Sequence, residues 1–280
     1  MRKLTFSGHE SFPCRQFWLK KGYDLVKQRK SFNDEAIVEL GVGRNMVSAV
    51  KHWLRAFNIL SEDEKLTKIA NKIFANNGWD PFLEDEGTLW LLHYLFVANG
   101  YASIGEIIFN ELRKERPKFT QEHFINYVLR EKGNYNENTL KRDFMAFKGS
   151  YLSNNTKDLE ENYTGILIEL NLLTETKKDK ETFYHIPTQD RANIPAEIIL
   201  TCILMNDEYG DSISFDSLFT GHNSIGMVFA LTEDGLFTKL NEIADKNAKI
   251  IYSDSAGIRE LQFKGKKPDY LTILSRYYGK

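Results

Sequence analysis

Read for the spacing of its apolar residues, the chain is mostly helical. The clearest run is Arg44 to Phe57, where Met46, Val47, Val50, Trp53, Leu54 and Phe57 recur at intervals of three and four, the repeat of one helix face. Asn45, Ser48, His52 and Arg55 fall on the opposite face, with Arg44 and Lys51 at its edge. Upstream, Asn33 is placed to cap a short helix from Asp34 to Leu40, which buries Ala36, Ile37 and Leu40. Gly41-Val42-Gly43 separates the two, and Gly41 suits the left-handed residue that ends a helix. A short helix, a glycine turn and a longer helix with a polar and basic outer stripe make the helix-turn-helix pattern. Before it, Ser11 and Pro13 predict the start of a helix running through Phe17-Trp18-Leu19 to about Val26. After it, Leu66, Ile69, Ala70, Ile73 and Phe74 predict another.

The acidic stretch Asp80 to Glu86 reads as a boundary, and Gly87 to Ala98 is apolar on most sides, a helix expected to be buried between domains. Thr120 caps a helix through Phe124, Ile125, Val128 and Leu129, and Gly133-Asn134 breaks it. A helix from Asn138 follows, with Leu140, Phe144 and Phe147 inside and Lys141, Arg142 and Lys148 outside. Ile166–Leu170 and Thr182–Ile186 read as strands flanking a charged turn, Thr174 to Glu181. The last third shows a similar order. Short helices at Ser214–Phe219 and Ile225–Leu231 precede one capped by Thr232, then strands Lys249–Tyr252 and Ile258–Phe263, then a helix at Tyr270–Tyr277. Helices followed by a hairpin suggest winged helices. The predicted fold is therefore mainly α, with tandem winged-helix or helix-turn-helix-like units and short β-hairpins. The predicted domains are 1–80, a helix-turn-helix domain; 81–190, a middle winged-helix-like domain; and 191–280, a C-terminal winged-helix-like α+β domain.

Composition narrows the setting. The 280 residues are 42% hydrophobic and carry a net charge of −2, ordinary for a globular protein. No run of about 18 apolar residues predicts a membrane span, and the opening residues lack a signal-peptide core. Cys14 and Cys202, the two cysteines, exclude a disulfide framework and a cysteine-rich zinc site. A cytoplasmic location is expected. The charge is uneven: residues 1–60 hold eleven Lys and Arg against five Asp and Glu, a net of +6, whereas 161–280 come to −5. A basic opening on an otherwise acidic chain is the asymmetry of a local phosphate-facing surface.

In such a surface Arg44 and Asn45 would reach base edges from the start of the recognition helix, since Arg pairs bidentately with guanine and Asn with adenine. Ser48 and His52 lie on the same stripe. Lys51 and Arg55 would contact phosphate, as would Lys141 and Arg142 in the middle domain. Candidate chemistry is sparser. His9, Glu10 and Arg15 bring an imidazole, a carboxylate and a guanidinium close in sequence, suited to acid–base work or to a buried hydrogen-bonded corner. Glu175-Thr176-Lys177 has the Glu-x-Lys spacing of many metal-dependent nucleases, with Asp158 the upstream acid, but that spacing arises readily by chance and a charged turn explains it. The six histidines show no paired ligand spacing, so no metal site is assigned. Nucleotide-binding glycine loops and the Gly-x-Ser-x-Gly of hydrolases are absent from the sequence.

The segment from Phe6 to Gly22, through Gly8, His9, Glu10, Phe12, Arg15, Trp18, Leu19 and Lys20, resembles the opening of a bacterial family of uncharacterised-domain proteins. Their genes often sit beside DNA phosphorothioation genes of the Dnd/Ssp type. Leu40 to Val47 and Ala256 to Leu261 look like the same family, so the resemblance covers nearly the whole chain. It implies a DNA-associated component of phosphorothioate modification or phage defence, similar to the B component of the Ssp system. Through members described as DNA-nicking, it also implies a nickase that would need a divalent metal ion, with His9, Glu10 and Arg15 as candidate catalytic residues. Expected partners are DNA, other proteins of the system and a second copy of the chain, with no membrane. The alternative is a transcriptional regulator or a non-catalytic scaffold that uses helix-turn-helix folds for protein contacts.

Overall fold

The computed structural model describes residues 4–153, 165–255 and 257–280. Its chain divides into two compact units, Met1–Pro187 and Thr188–Lys280. The first spans both stretches expected to form the N-terminal and middle domains.

The first unit opens with a segment that turns at residues 8–11, and helix α1 begins only at Trp18 and runs to Lys27. Ser11 does not cap it: Ser11 and Glu10 both have left-handed backbone, with φ of 66° and 48°, which a helix start does not use. α2 (Ala36–Leu40) ends on Gly41 at φ 62°, as the glycine requires, and α3 follows at Arg44–Ala56. α1 crosses α3 at Gly22, where an added Cβ would lie 2.6 Å from Leu54 and 2.9 Å from Val50. A tight bridge, Leu60 to Leu66, leads into α4 (Lys68–Phe74), capped by the Thr67 hydroxyl.

At the centre runs α5 (Glu86–Asn99), capped by Asp85 and buried on every side from Gly87 to Val97. Its Phe96 meets Trp53 and Phe57 of α3, with ring centroids 6.0 and 5.3 Å away. His93 is bonded through Nδ1 to the Tyr151 hydroxyl at 2.7 Å. It is a core histidine with a partner.

α6 (Ser103–Ile107) continues through a π-helical turn, Ile108–Leu112, into α7 (Arg113–Glu115). Then come β1 (Lys118–Phe119), α8 (Gln121–Glu131) and α9 (Glu137–Tyr151). Thr120 and His123 cap α8 reciprocally. Asn136, two residues ahead of the expected start, caps α9.

Two expectations fail here. Ile166–Leu170 is not a strand: residues 168–170 form a single 3-10 turn. The presumed charged turn is instead strand β2 (Thr174–Lys178), paired with β3 (Glu181–His185). β2 is exposed at every residue, so no alternation of apolar and polar residues announces it. The sheet order is β1-β3-β2, antiparallel throughout.

The second unit contains α10 (Ala196–Leu204), β4 (Ser212–Ser214), α11 (Phe215–Thr220), α12 (Ile225–Val228), α13 (Glu233–Lys246), β5 (Ile250–Ser255), β6 (Ile258–Phe263) and α14 (Tyr270–Tyr277). Side chains of Ser214, Ser224, Thr232 and Asp269 cap α11 to α14 in turn. Its sheet runs β4-β6-β5. Each unit thus carries a helix, a short strand, helices and a hairpin whose second strand lies between the other two. The fold is mainly helical with two small three-stranded antiparallel sheets.

Candidate nucleic-acid interface

Arg44, Asn45 and Ser48 stand exposed at the N-terminal end of α3. The helix presents them because its buried stripe, Val47, Val50, Trp53 and Leu54, fixes the rotation of that face. Arg44 pairs with Asp34 of the preceding loop at 3.0 Å, both side chains being largely in solvent, where such a pair is weak.

Further along, the stripe is already engaged. Lys51 and Arg55 both reach the Glu64 carboxylate, at 2.6 and 2.9 Å. The hydrogen bond from Lys51 is the main cause that holds that carboxyl below its ordinary range. His52 is not on the outer stripe at all. It is buried between Gly8, His9, Trp53 and Tyr101, and desolvation, followed by the nearby His9 and Arg55, lowers its pKa to about 3. Neither of its ring nitrogens has a hydrogen-bond partner among the described residues. It cannot reach a base edge.

The opening segment passes between α3 and α9. Trp53 Nε1 donates to the Phe12 carbonyl at 3.0 Å, the Cys14 amide donates to Ser150 Oγ at 3.2 Å, and the Ile166 amide donates to the Cys14 carbonyl at 3.0 Å. Gly8, at φ 105°, permits this approach, since a Cβ would sit 2.8 Å from His52 Nδ1. The Ser11 amide donates to His9 Nδ1 at 3.0 Å, so Nδ1 is the acceptor and Nε2 carries the proton that bonds to Asp143 Oδ1 at 2.7 Å. Asp143 is buried on α9, and desolvation raises its pKa, opposed by the His9 hydrogen bond.

Sequence reasoning missed Asp143. The available signal was its place on the stripe Leu140, Asp143, Phe144, Phe147, where an acid needs a partner. Glu10 is exposed. The Arg15 guanidinium lies 5.5 Å over the Trp18 ring. Among the described residues no hydrogen bond or ion pair joins His9, Glu10 and Arg15 to one another. The segment builds a buried corner around His9.

Lys141 and Arg142 are exposed on α9 and form no ion pair with a described residue. Glu175 and Lys177 lie on exposed β2, and Asp158 lies outside the described residues. Among the described residues no three His, Cys, Asp or Glu side chains gather to hold a metal ion, and no helix is long and apolar enough to cross a membrane.

These features define a mainly helical protein of two units, each closed by a three-stranded sheet, with a basic and amide-bearing helix end exposed in the first. The chain belongs to the family described as Protein of unknown function (DUF4007), whose sequence profile matches residues 6–278. Two solved structures share its fold. One, described as "SspB crystal structure", is 25% identical with a TM-score of 0.85. It covers 98% of this chain and 88% of its own. The other, described as "Magnesium ion-bound SspB crystal structure", is 24% identical with a TM-score of 0.83 and the same coverage. The resemblance found in the opening motif, to the B component of the Ssp system, is matched by these structures. No curated protein matches the sequence.

Proposed function

We propose that the chain is a DNA-binding component of a bacterial DNA phosphorothioation and phage-defence system. The exposed trio Arg44, Asn45 and Ser48 at the start of α3 carries this reading. An arginine and an amide at that end of the second helix of a helix-turn-helix are the groups that read guanine and adenine. The likeness to SspB supplies the setting. The order of helix, strand, helices and hairpin in each unit supports reading them as winged-helix-like, with α9 and α13 in the place of the recognition helix. Residues 81–190 and 191–280 then correspond to two such modules, and residues 1–80 to a helix-turn-helix module. In the middle one, Lys141 and Arg142 are free to meet phosphate. Nicking would require a divalent ion, and no three His, Cys, Asp or Glu side chains gather to hold one among the described residues.

The test is duplex-DNA affinity measured against salt by fluorescence anisotropy, for the wild type, Arg44→Ala/Asn45→Ala and Lys141→Ala/Arg142→Ala. Binding should weaken with salt, and each lost phosphate contact should flatten the log–log slope by about 0.9. Loss of the base contacts of Arg44 and Asn45 should cost about 1–3 kcal/mol each. A wild type that does not bind, or variants with unchanged affinity and slope, would overturn the proposal.

A further inference from the structure

Helix α9 turns one face to solvent, and the side chains on that face are ordered by position. At about 100° per residue, Asn138 and Met145 fall within about 20° of one line along the helix. Lys141 lies about 50° to one side of that line and Arg142 about 50° to the other. All four are exposed, Met145 at 48%. Behind them Leu140, Asp143, Phe144, Ala146 and Phe147 are buried, and Tyr184 of β3 packs on Phe144 with ring centroids 5.1 Å apart. Toward the C-terminal end the opening segment covers the helix, since a Cβ on Gly149 would lie 3.0 Å from Pro13. The free face is therefore about the first two turns.

Asn138, Lys141 and Arg142 form no side-chain hydrogen bond or ion pair with a described residue. The one acid on the exposed arc, Glu137, stands about 90° from the central line. Counted from the first residue of each helix, the matching positions of α13 are Asp234, Phe237, Thr238 and Asn241, which carry no cation. The arrangement thus belongs to α9 and not to the order of elements that the two units share.

Cations on both sides of a central line suit a polyanion with two charged walls. The major groove of duplex DNA has such walls, about 12 Å apart, and admits a helix. Lys141 and Arg142 then meet phosphates of opposite strands, and the line between them faces base edges. An asparagine amide pairs bidentately with adenine, and an apolar side chain in the groove meets the thymine methyl. A protein partner would be met by a contiguous apolar patch, whereas Met145 stands alone between cations. We infer that α9 reads DNA sequence, with Asn138 at an adenine, Met145 at a thymine methyl, and Lys141 and Arg142 on the flanking backbones. The inference rests on the DNA-binding reading and adds base-reading residues to it. Asn138 and Met145 are about 10 Å apart along the helix, about three base-pair steps of duplex.

The test selects duplexes from a random pool with the full chain, as wild type, Asn138→Ala and Met145→Ala. Affinity for the selected duplex is then measured by fluorescence anisotropy. The wild type should retain an adenine and, about three pairs away, a thymine. Deoxyuridine in place of that thymine removes one methyl group and should weaken wild-type binding about fourfold. Met145→Ala should bind both duplexes alike. The deaza analogue of adenine that lacks the N7 acceptor should cost the wild type about fivefold and Asn138→Ala nothing. Both side chains stand in solvent, so neither variant should move the urea midpoint. Arg44→Ala/Asn45→Ala should keep both discriminations. A wild type that binds duplex but is indifferent to deoxyuridine and to the deaza analogue overturns the inference and leaves DNA binding in place. So do α9 variants that discriminate as the wild type does. A wild type that binds no duplex overturns both readings.

Discussion

The His9 imidazole and the Asp143 carboxylate, 134 positions apart in the chain, meet at 2.7 Å inside the first unit, and both are buried. A buried carboxylate that loses its hydrogen-bonded partner stays desolvated without compensation. His9→Ala is therefore expected to destabilise the first unit by about 3–5 kcal/mol. Replacing both residues by leucine should cost less than the sum of the single changes. All four tryptophans fall in the first unit, so urea unfolding followed by tryptophan fluorescence reads that unit alone.

His52 makes the first unit acid-sensitive. Its pKa lies near 3 in the fold, against 6.5 as its ordinary value. Between those values the unfolded chain binds a proton that the folded one does not. Stability is thus whole above pH about 6.5 and falls as the pH drops below it, at up to about 1.4 kcal/mol per unit. Asp143, whose carboxyl is raised by burial, acts in the opposite sense and offsets part of the loss in the acid range. His52→Asn should flatten the stability profile between pH 6.5 and 4 by the same fluorescence assay. An unchanged profile would show that His52 is hydrated rather than buried.

Gly22 sets how closely α1 approaches α3. In Gly22→Ala the new methyl meets Leu54 and Val50 at 2.6 and 2.9 Å, so the helices must part or those side chains must leave their rotamers. A loss of about 1–3 kcal/mol is expected, read as a lower urea midpoint with an unchanged slope.

Glu64 occupies two cations that would otherwise be open to DNA. With Glu64→Gln, Lys51 and Arg55 lose their shared carboxylate. If the α3 face binds duplex, affinity at low salt should rise, and the salt dependence should steepen by about 0.9 for each additional phosphate neutralised. Equal slopes in variant and wild type would place Lys51 and Arg55 off the DNA.

What could be read from the sequence followed from local rules. α3 has, to within a residue, the bounds its spacing implies, because a buried stripe at three and four leaves one solution. Gly41 and Thr120 mark helix ends through local chemistry that involves no distant residue. β2 escaped because a fully exposed strand has no apolar face, and its strand character comes only from pairing with β3. Pro13 misled because the chain around it is held by α3 and α9 rather than by its own helix. Asp143 stood out only as an acid on the buried stripe of α9; its partner could not be read because it lies at the other end of the unit. His52 fell on the wrong side of the helical stripe because Gly8, lacking a side chain, lets the opening segment cover it.

The passage of residues 6–15 between α3 and α9 also dictates an order of assembly. These residues leave the ribosome before Ser150 and Ile166, which close hydrogen bonds onto Cys14 and emerge some 130 to 150 residues later. The earliest helices can form as they are made, but their final seating waits for the whole first unit. Until then the Gly8–Arg15 stretch and the inner side of α3 remain open on the nascent chain, and folding of the helix-turn-helix is governed by loop closure over that span rather than by its own helix propensity.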